Sequence, residues 1–218
     1  MFKELLFLAT KEFRLEWRQK TVLTGILIYV ISTIFICYMS FRQIIDIPTW
    51  NALFWIIMLF AAVNAVARTF MHESRGLQLY YYSLVDPGTV ILSKIIYNTI
   101  LLVTISFVSF IFYVLFLGHT IQDIPMFLLG LLLGSCGLAA TLTLVSAIAS
   151  RANNNPSMMA ILSFPILIPL LMTIMRFSKN AIDGIAWSVN GNYALILVAL
   201  IAIVTTLSYL LFPYLWRE

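Results

Sequence analysis

Along most of this chain apolar positions run on without interruption, and charged ones are gathered into a few short segments. Six stretches contain no Asp, Glu, Lys or Arg: 21–41, 47–67, 95–122, 124–150, 152–175 and 184–216. The shortest has 21 residues. A helix rising 1.5 Å per residue crosses a bilayer core in about 20 residues. A charge at mid-bilayer costs at least a few kcal/mol, so the charged segments mark where the chain surfaces. In lipid every backbone donor and acceptor must be paired within the segment, so the spans are expected as helices. Transmembrane strands would alternate apolar and polar residues, and these runs do not. The pattern predicts an all-α integral membrane protein of six transmembrane helices, with 21–216 as one membrane domain.

The polar segments have patterns of their own. In residues 1–20, Phe2, Leu5, Leu6, Ala9, Phe13 and Trp17 recur at spacings of three and four, while Lys11, Arg14 and Arg18 take another face. This predicts an amphipathic helix lying in the membrane interface. It reads as an anchor, as an elbow that follows a cytoplasmic partner, or as both. Residues 68–94 form the longest segment between spans, RTFMHESRGLQLYYYSLVDPGTVILSK. Asp86-Pro87-Gly88 is a turn signal there, and Thr89 is the expected N-cap of the third helix. Tyr80, Tyr81 and Tyr82 suit the headgroup level.

Charge sets the expected topology. Lys3, Lys11, Arg14, Arg18, Lys20, Arg68, Arg75, Lys94, Arg151 and Arg217 fall on one side, ten in all. Arg42, Arg176 and Lys179 fall on the other, three in all. Cytoplasmic loops carry the excess of Lys and Arg, which places both termini in the cytoplasm.

Within the spans, Gly130, Gly134 and Gly137 should let a neighbouring helix approach the fourth closely. Pro165 and Pro169 should kink or break the fifth, because each removes a backbone donor and crowds the preceding turn. The last run is long for one span and short for two. Asn190-Gly191-Asn192 is expected to divide it, leaving residues 181–189 as a short dip into the outer leaflet and a span that begins near Tyr193.

Composition narrows the function. The chain is 62% hydrophobic and only 10% charged, against about 25% charged in a soluble domain. Its formal net charge of +4 sits mostly beside helix ends, which suits anionic lipid headgroups rather than nucleic acid. Met1–Lys20 mixes both charge signs and lacks the short apolar region and cleavage site of a signal peptide. There is no P-loop sequence, no H-E-x-x-H and no nucleophile constellation, so no catalytic residue is assigned. The acidic residues lie at span ends or in loops, which speaks against ion-coupled transport. Cys37 and Cys136 are expected as packing residues rather than a disulfide or metal pair. What remains is a non-enzymatic permease powered from outside the chain, its 68–94 segment docking on a separate ATPase.

Three stretches carry a resemblance to a known family. They are the opening KEFRLEWRQK, the segment VARTFMHESRGLQLYYYSLVDPGTVILSK from Val66 to Lys94, and MMAILSFPILIPLLM from Met158 to Met172. The chain resembles the cytochrome c maturation protein B family (CcmB, haem exporter protein B) over nearly its whole length. Arg68, Phe70, Glu73, Gly76, Pro87, Leu92 and Lys94 occupy the family's places in the loop, and Pro165, Ile168 and Pro169 those in the fifth span. Where the family shows two adjacent acids, this sequence has His72-Glu73. Its Gly76-Leu77-Gln78 also replaces a more acidic continuation, so the loop is less acidic than the family pattern.

The resemblance implies the membrane subunit of an ABC-type complex that serves haem export and cytochrome c maturation. Implied partners are a CcmA-like ATPase, a CcmC-like haem-handling membrane protein and a CcmD-like single-span protein; membrane lipids are expected from the charge, and a homodimer is left open. The complex would deliver haem to a periplasmic chaperone or release the loaded chaperone, with ATP bound by the partner and no cofactor held here. The alternative is an ABC-type export permease for lipid, glycan or drug. Arg68, Phe70, Glu73, Arg75, Gly76, Leu77, Leu79 and Tyr80 are the expected ATPase-docking residues, with Leu77, Leu79 and Tyr80 as apolar anchors. His72 and His119 fall on opposite sides of the membrane, so one haem iron cannot use both.

Overall fold

A computed structural model describes residues 7, 8, 10, 11, 20–41, 46–67, 86–118, 121–151 and 156–217. Six helices follow one another: α1 (Lys20–Phe41), α2 (Ile47–Val66), α3 (Pro87–Leu117), α4 (Ile124–Arg151), α5 (Pro156–Ile182) and α6 (Trp187–Arg217). Each is long and apolar enough to cross a membrane. Of the expected N-terminal helix, residues 7, 8, 10 and 11 are described, and they are helical. Leu8 is buried beside Val90, Ile91 and Phe212, while Phe7 is exposed.

Three helix starts share one sequence device. Asp46 and Asp86 are the N-caps of α2 and α3, and each accepts from the backbone N–H three residues on at 3.3 Å. Asp123 accepts from the Met126 N–H at 2.9 Å, just ahead of α4. In each case a proline stands at the first or second helical position, where its missing N–H leaves nothing unpaired. The cap bond from Thr49 holds the Asp46 carboxyl below its ordinary range.

This device corrects one expectation. The N-cap of α3 is Asp86, not Thr89, because the carboxylate reaches the free N–H of Thr89 itself. Residues 87–94, read as the end of the loop, therefore form the first turns of α3. Lys94 lies inside that helix and is only 1% exposed.

α5 answers half of its expectation, the break. Pro165 and Pro169 do not break it, since the helix runs unbroken from Pro156 to Ile182. Both prolines lie on its exposed side, where their rings do not disturb packing against the bundle. α5 continues past residue 175, with Arg176 and Lys179 exposed in its last turns.

The expected dip over residues 181–189 is absent. Ala181 and Ile182 end α5, a turn with Gly184 at φ +70° follows, and α6 begins at Trp187. Asn190, Gly191 and Asn192 lie within α6. The helix tolerates Asn190 there because its amide is fully buried and bonded to α4 and α5.

α4 is the hub of the bundle and packs on α2, α3, α5 and α6. Its membrane segment is 72% buried, against 17% for α1 and 22% for α6. Close packing follows from its glycines. A Cβ on Gly130 would strike the Phe177 ring, one on Gly134 would strike Ile174 and the Trp55 ring, and one on Gly137 would strike Leu170. The missing side chains form a groove that takes α5, as the sequence pattern predicts.

Candidate functional site

The contacts sort the helix termini into two ends. One gathers the starts of α2, α4 and α6 with the ends of α1, α3 and α5. The other gathers the start of α3 with the ends of α2, α4 and α6, together with Leu8.

The first end is tied together by polar bonds between helices. The Asn51 amide donates to the Met175 carbonyl at 2.8 Å, and the Ser178 hydroxyl lies 2.7 Å from Asn51 Oδ1. The Trp55 indole donates to Ser178 Oγ at 2.8 Å. Asn51, Trp55 and Ser178 are each no more than 2% exposed. The Tyr113 hydroxyl donates to the Trp50 carbonyl at 2.7 Å. Around that bond Trp50, Phe54, Tyr113 and Phe127 cluster, Trp50 meeting Tyr113 and Phe127 edge to face, with Trp50 and Tyr113 ring centroids 4.8 Å apart. Nearer the surface, the Asn190 amide donates to the Phe177 carbonyl at 3.1 Å and to Met126 Sδ at 2.7 Å, while Asn180 donates to Asn190 Oδ1 at 3.1 Å. The Trp187 indole donates to Asp123 at 2.8 Å. The N–H groups of Gln122 and Asp123 donate to the carbonyls of Ile182 and Ala181. Among the described residues, connections far apart in sequence are thus closed against each other without charged pairs.

The second end is built differently. Polar bonds between helices are present toward the middle of the bundle, where Asn98 donates to Thr143 at 2.8 Å. Ser146 reaches the Val66 carbonyl only at 3.5 Å. At the surface, a cleft of about 280 Å³ opens between the start of α3 and the end of α6, lined by Asp86, Gly88, Tyr209, Leu210, Pro213 and Tyr214. Gly88 lets the Tyr209 ring lie against the α3 backbone, where any side chain would collide with it.

Of the residues singled out in the sequence, Arg68, Phe70, Glu73, Arg75, Gly76, Leu77, Leu79 and Tyr80 lie outside the described residues, as do His72 and His119. The flanking Ala67 and Asp86 are described, and both lie at the second end. Cys37 and Cys136 are both free and half-buried. Among the described residues, no three His, Cys, Asp or Glu side chains converge. Sequence reasoning did not find the Asn51–Trp55–Ser178 bonds or the Asn180–Asn190 pair. Their only signal was an amide or hydroxyl within an apolar run, where polar side chains usually have a partner across a helix interface.

A sequence model of the family described as CcmB protein matches residues 3–214, and no curated protein matches the chain. The chain belongs to the CcmB family, and so is a multi-pass membrane component of the haem-export and cytochrome c maturation system, working within an ABC-type complex. Members of the family are transmembrane transport subunits and are generally non-catalytic.

Proposed function

We propose that this chain transmits the ATPase cycle of a separate CcmA-like subunit to haem delivery, or to release of the loaded periplasmic chaperone. The observation that carries the reading is the family match over residues 3–214. The ATPase docks on residues 68–86, with Leu77, Leu79 and Tyr80 as anchors and Glu73 and Arg75 at the rim. Buried apolar and aromatic anchors dominate such interfaces, and rim charges contribute less. In support, the described ends of α2 and α3 bring that connection to the same end of the bundle as Leu8 and the end of α6. The ten-to-three bias of Lys and Arg supports a cytoplasmic assignment of that end, and the family match supports a bacterial inner membrane. A CcmC-like and a CcmD-like protein complete the assembly.

Haem is substrate here, not a resident group. Strong axial ligands are His, Cys, Met or Tyr. By the topology read from the charges, His72 and His119 fall on opposite sides of the spans, and Cys37 and Cys136 lie inside apolar helices, where a thiolate is disfavoured. Any haem that passes this chain does so transiently. Replacing both histidines by Ala should leave cytochrome c maturation largely intact, while loss of maturation in an assembled His119→Ala complex would require a ligand role.

The docking claim is tested by co-purification. A Leu77→Asp, Tyr80→Ala double variant should reach the membrane at the parent level yet lose the ATPase subunit, and Glu73→Ala should retain most of it. Undiminished capture by the double variant would refute the docking site.

A further inference from the structure

The cleft at the second end shares only Asp86 with the proposed docking segment, its other lining residues lying outside 68–86, and its chemistry is specific. It holds one carboxylate, Asp86, and two tyrosines, Tyr209 and Tyr214, and none of the described lining residues is basic. The Asp86 carboxylate uses one oxygen, Oδ2, to cap α3 at the Thr89 N–H, so Oδ1 can accept from a ligand. Tyr209 and Tyr214 are 40% and 75% exposed, which leaves their hydroxyls able to donate. Away from the end of the bundle, the exposed face of α6 continues as Leu207, Leu210 and Leu211. An acceptor for a cation, donors for an anion and an apolar track therefore lie together at the edge of the membrane segment.

The geometry points to a binding site for a phospholipid whose headgroup carries a primary ammonium. The ammonium meets Asp86 with its positive charge and its N–H donors. The phosphate accepts from the tyrosine hydroxyls. One acyl chain lies along Leu207 and Leu211. The cleft is slightly below the roughly 300–1,000 Å³ of sites for drug-sized molecules, which suits a headgroup. The choice of lipid runs against the overall basic charge of the chain, which favours anionic headgroups at its other polar segments. Among the described lining residues no cation offsets the second negative charge that an anionic lipid would bring to Asp86.

The test uses the full purified chain, delipidated in mild detergent. It is titrated with phosphatidylethanolamine, phosphatidylglycerol or phosphatidylcholine of identical acyl chains, and bound lipid is counted by native mass spectrometry. Phosphatidylethanolamine should be retained at least about fivefold better than phosphatidylglycerol. It should also exceed phosphatidylcholine, whose ammonium has no N–H to donate. Asp86→Asn keeps a good N-cap and should bring the ethanolamine and glycerol lipids within about twofold of each other. Tyr214→Phe, at an exposed position that does not threaten folding, should lower retention of both zwitterionic lipids. Equal retention of the three lipids by the parent chain overturns the assignment, as does ethanolamine selectivity that survives Asp86→Asn. A parent chain without selectivity whose Asp86→Asn variant loses the ATPase subunit would mean that a basic side chain of a protein fills the cleft, and this too overturns it.

Discussion

The two ends of this bundle solve the same physical problem in opposite ways. At the end where α2, α4 and α6 begin, amides, hydroxyls and an indole are buried in pairs that tie α2 to α5, α3 to α2 and α6 to α4 and α5. At the other end the described surface keeps an open cleft. A polar group in an apolar surrounding is costly unless paired, and once paired it fixes the distance between the helices it joins. The first end is therefore the fixed one. If the proposed ATPase moves the second end, the bonds around Asn51 and Ser178 make the first end the fulcrum. A subunit that relays motion needs both an anchored end and an end that can yield.

The largest effect expected from disturbing this arrangement comes from Gly134. Gly134→Val puts side-chain atoms where Ile174 and the Trp55 ring already sit, which forces α4 and α5 apart next to the Trp55–Ser178 bond. Overpacking of this kind costs about 1–3 kcal/mol. It should appear as a clear fall in thermal midpoint in mild detergent and as loss of the folded chain from membranes. A midpoint equal to the parent's would show that the α4–α5 contact does not hold the fixed end together.

A smaller loss is expected at Asn51. Asn51→Ala removes the bond to the Met175 carbonyl and one of the partners of Ser178. Hydrogen bonds between membrane helices average about 0.6 kcal/mol and reach about 1.7, so the two together should cost about 1–2 kcal/mol by the same melting measurement. Leu211→Ala, at an exposed position of the second end, should change stability by less than about 0.5 kcal/mol. If the two variants melted alike, the contrast between the ends would be lost.

Much of this architecture was legible in the sequence, for a definite reason. A charge in hydrocarbon is so costly that Asp, Glu, Lys and Arg delimit spans almost by themselves, and all six helices fall where the charge-free runs are. The same rule misled at Lys94. A lysine taken as a loop boundary lies inside α3 and is buried. It misled again at Arg176 and Lys179, which are carried on the last turns of α5 rather than beyond it. Asn190-Gly191-Asn192 looked like a break because local propensity was the only guide. What keeps it helical is tertiary, the bonds from Asn190 to Phe177 and Met126 on neighbouring helices. The Gly130–Gly134–Gly137 groove was legible because small residues at helical spacing have little other use in a span. Its occupant, α5, was not, since no local pattern specifies which helix fills a groove.

The central claim is that the ATPase engages the end reached by the 68–85 connection and not the polar-bonded end. Site-specific photo-crosslinking in membranes that hold the native complex tests this most directly, with the crosslinker placed at Leu77 or Tyr80 in one set and at Lys179 in the other. The account predicts adducts with the ATPase subunit from Leu77 and Tyr80 and none from Lys179. An ATPase adduct from Lys179, or none from either loop position in an assembled complex, would contradict it.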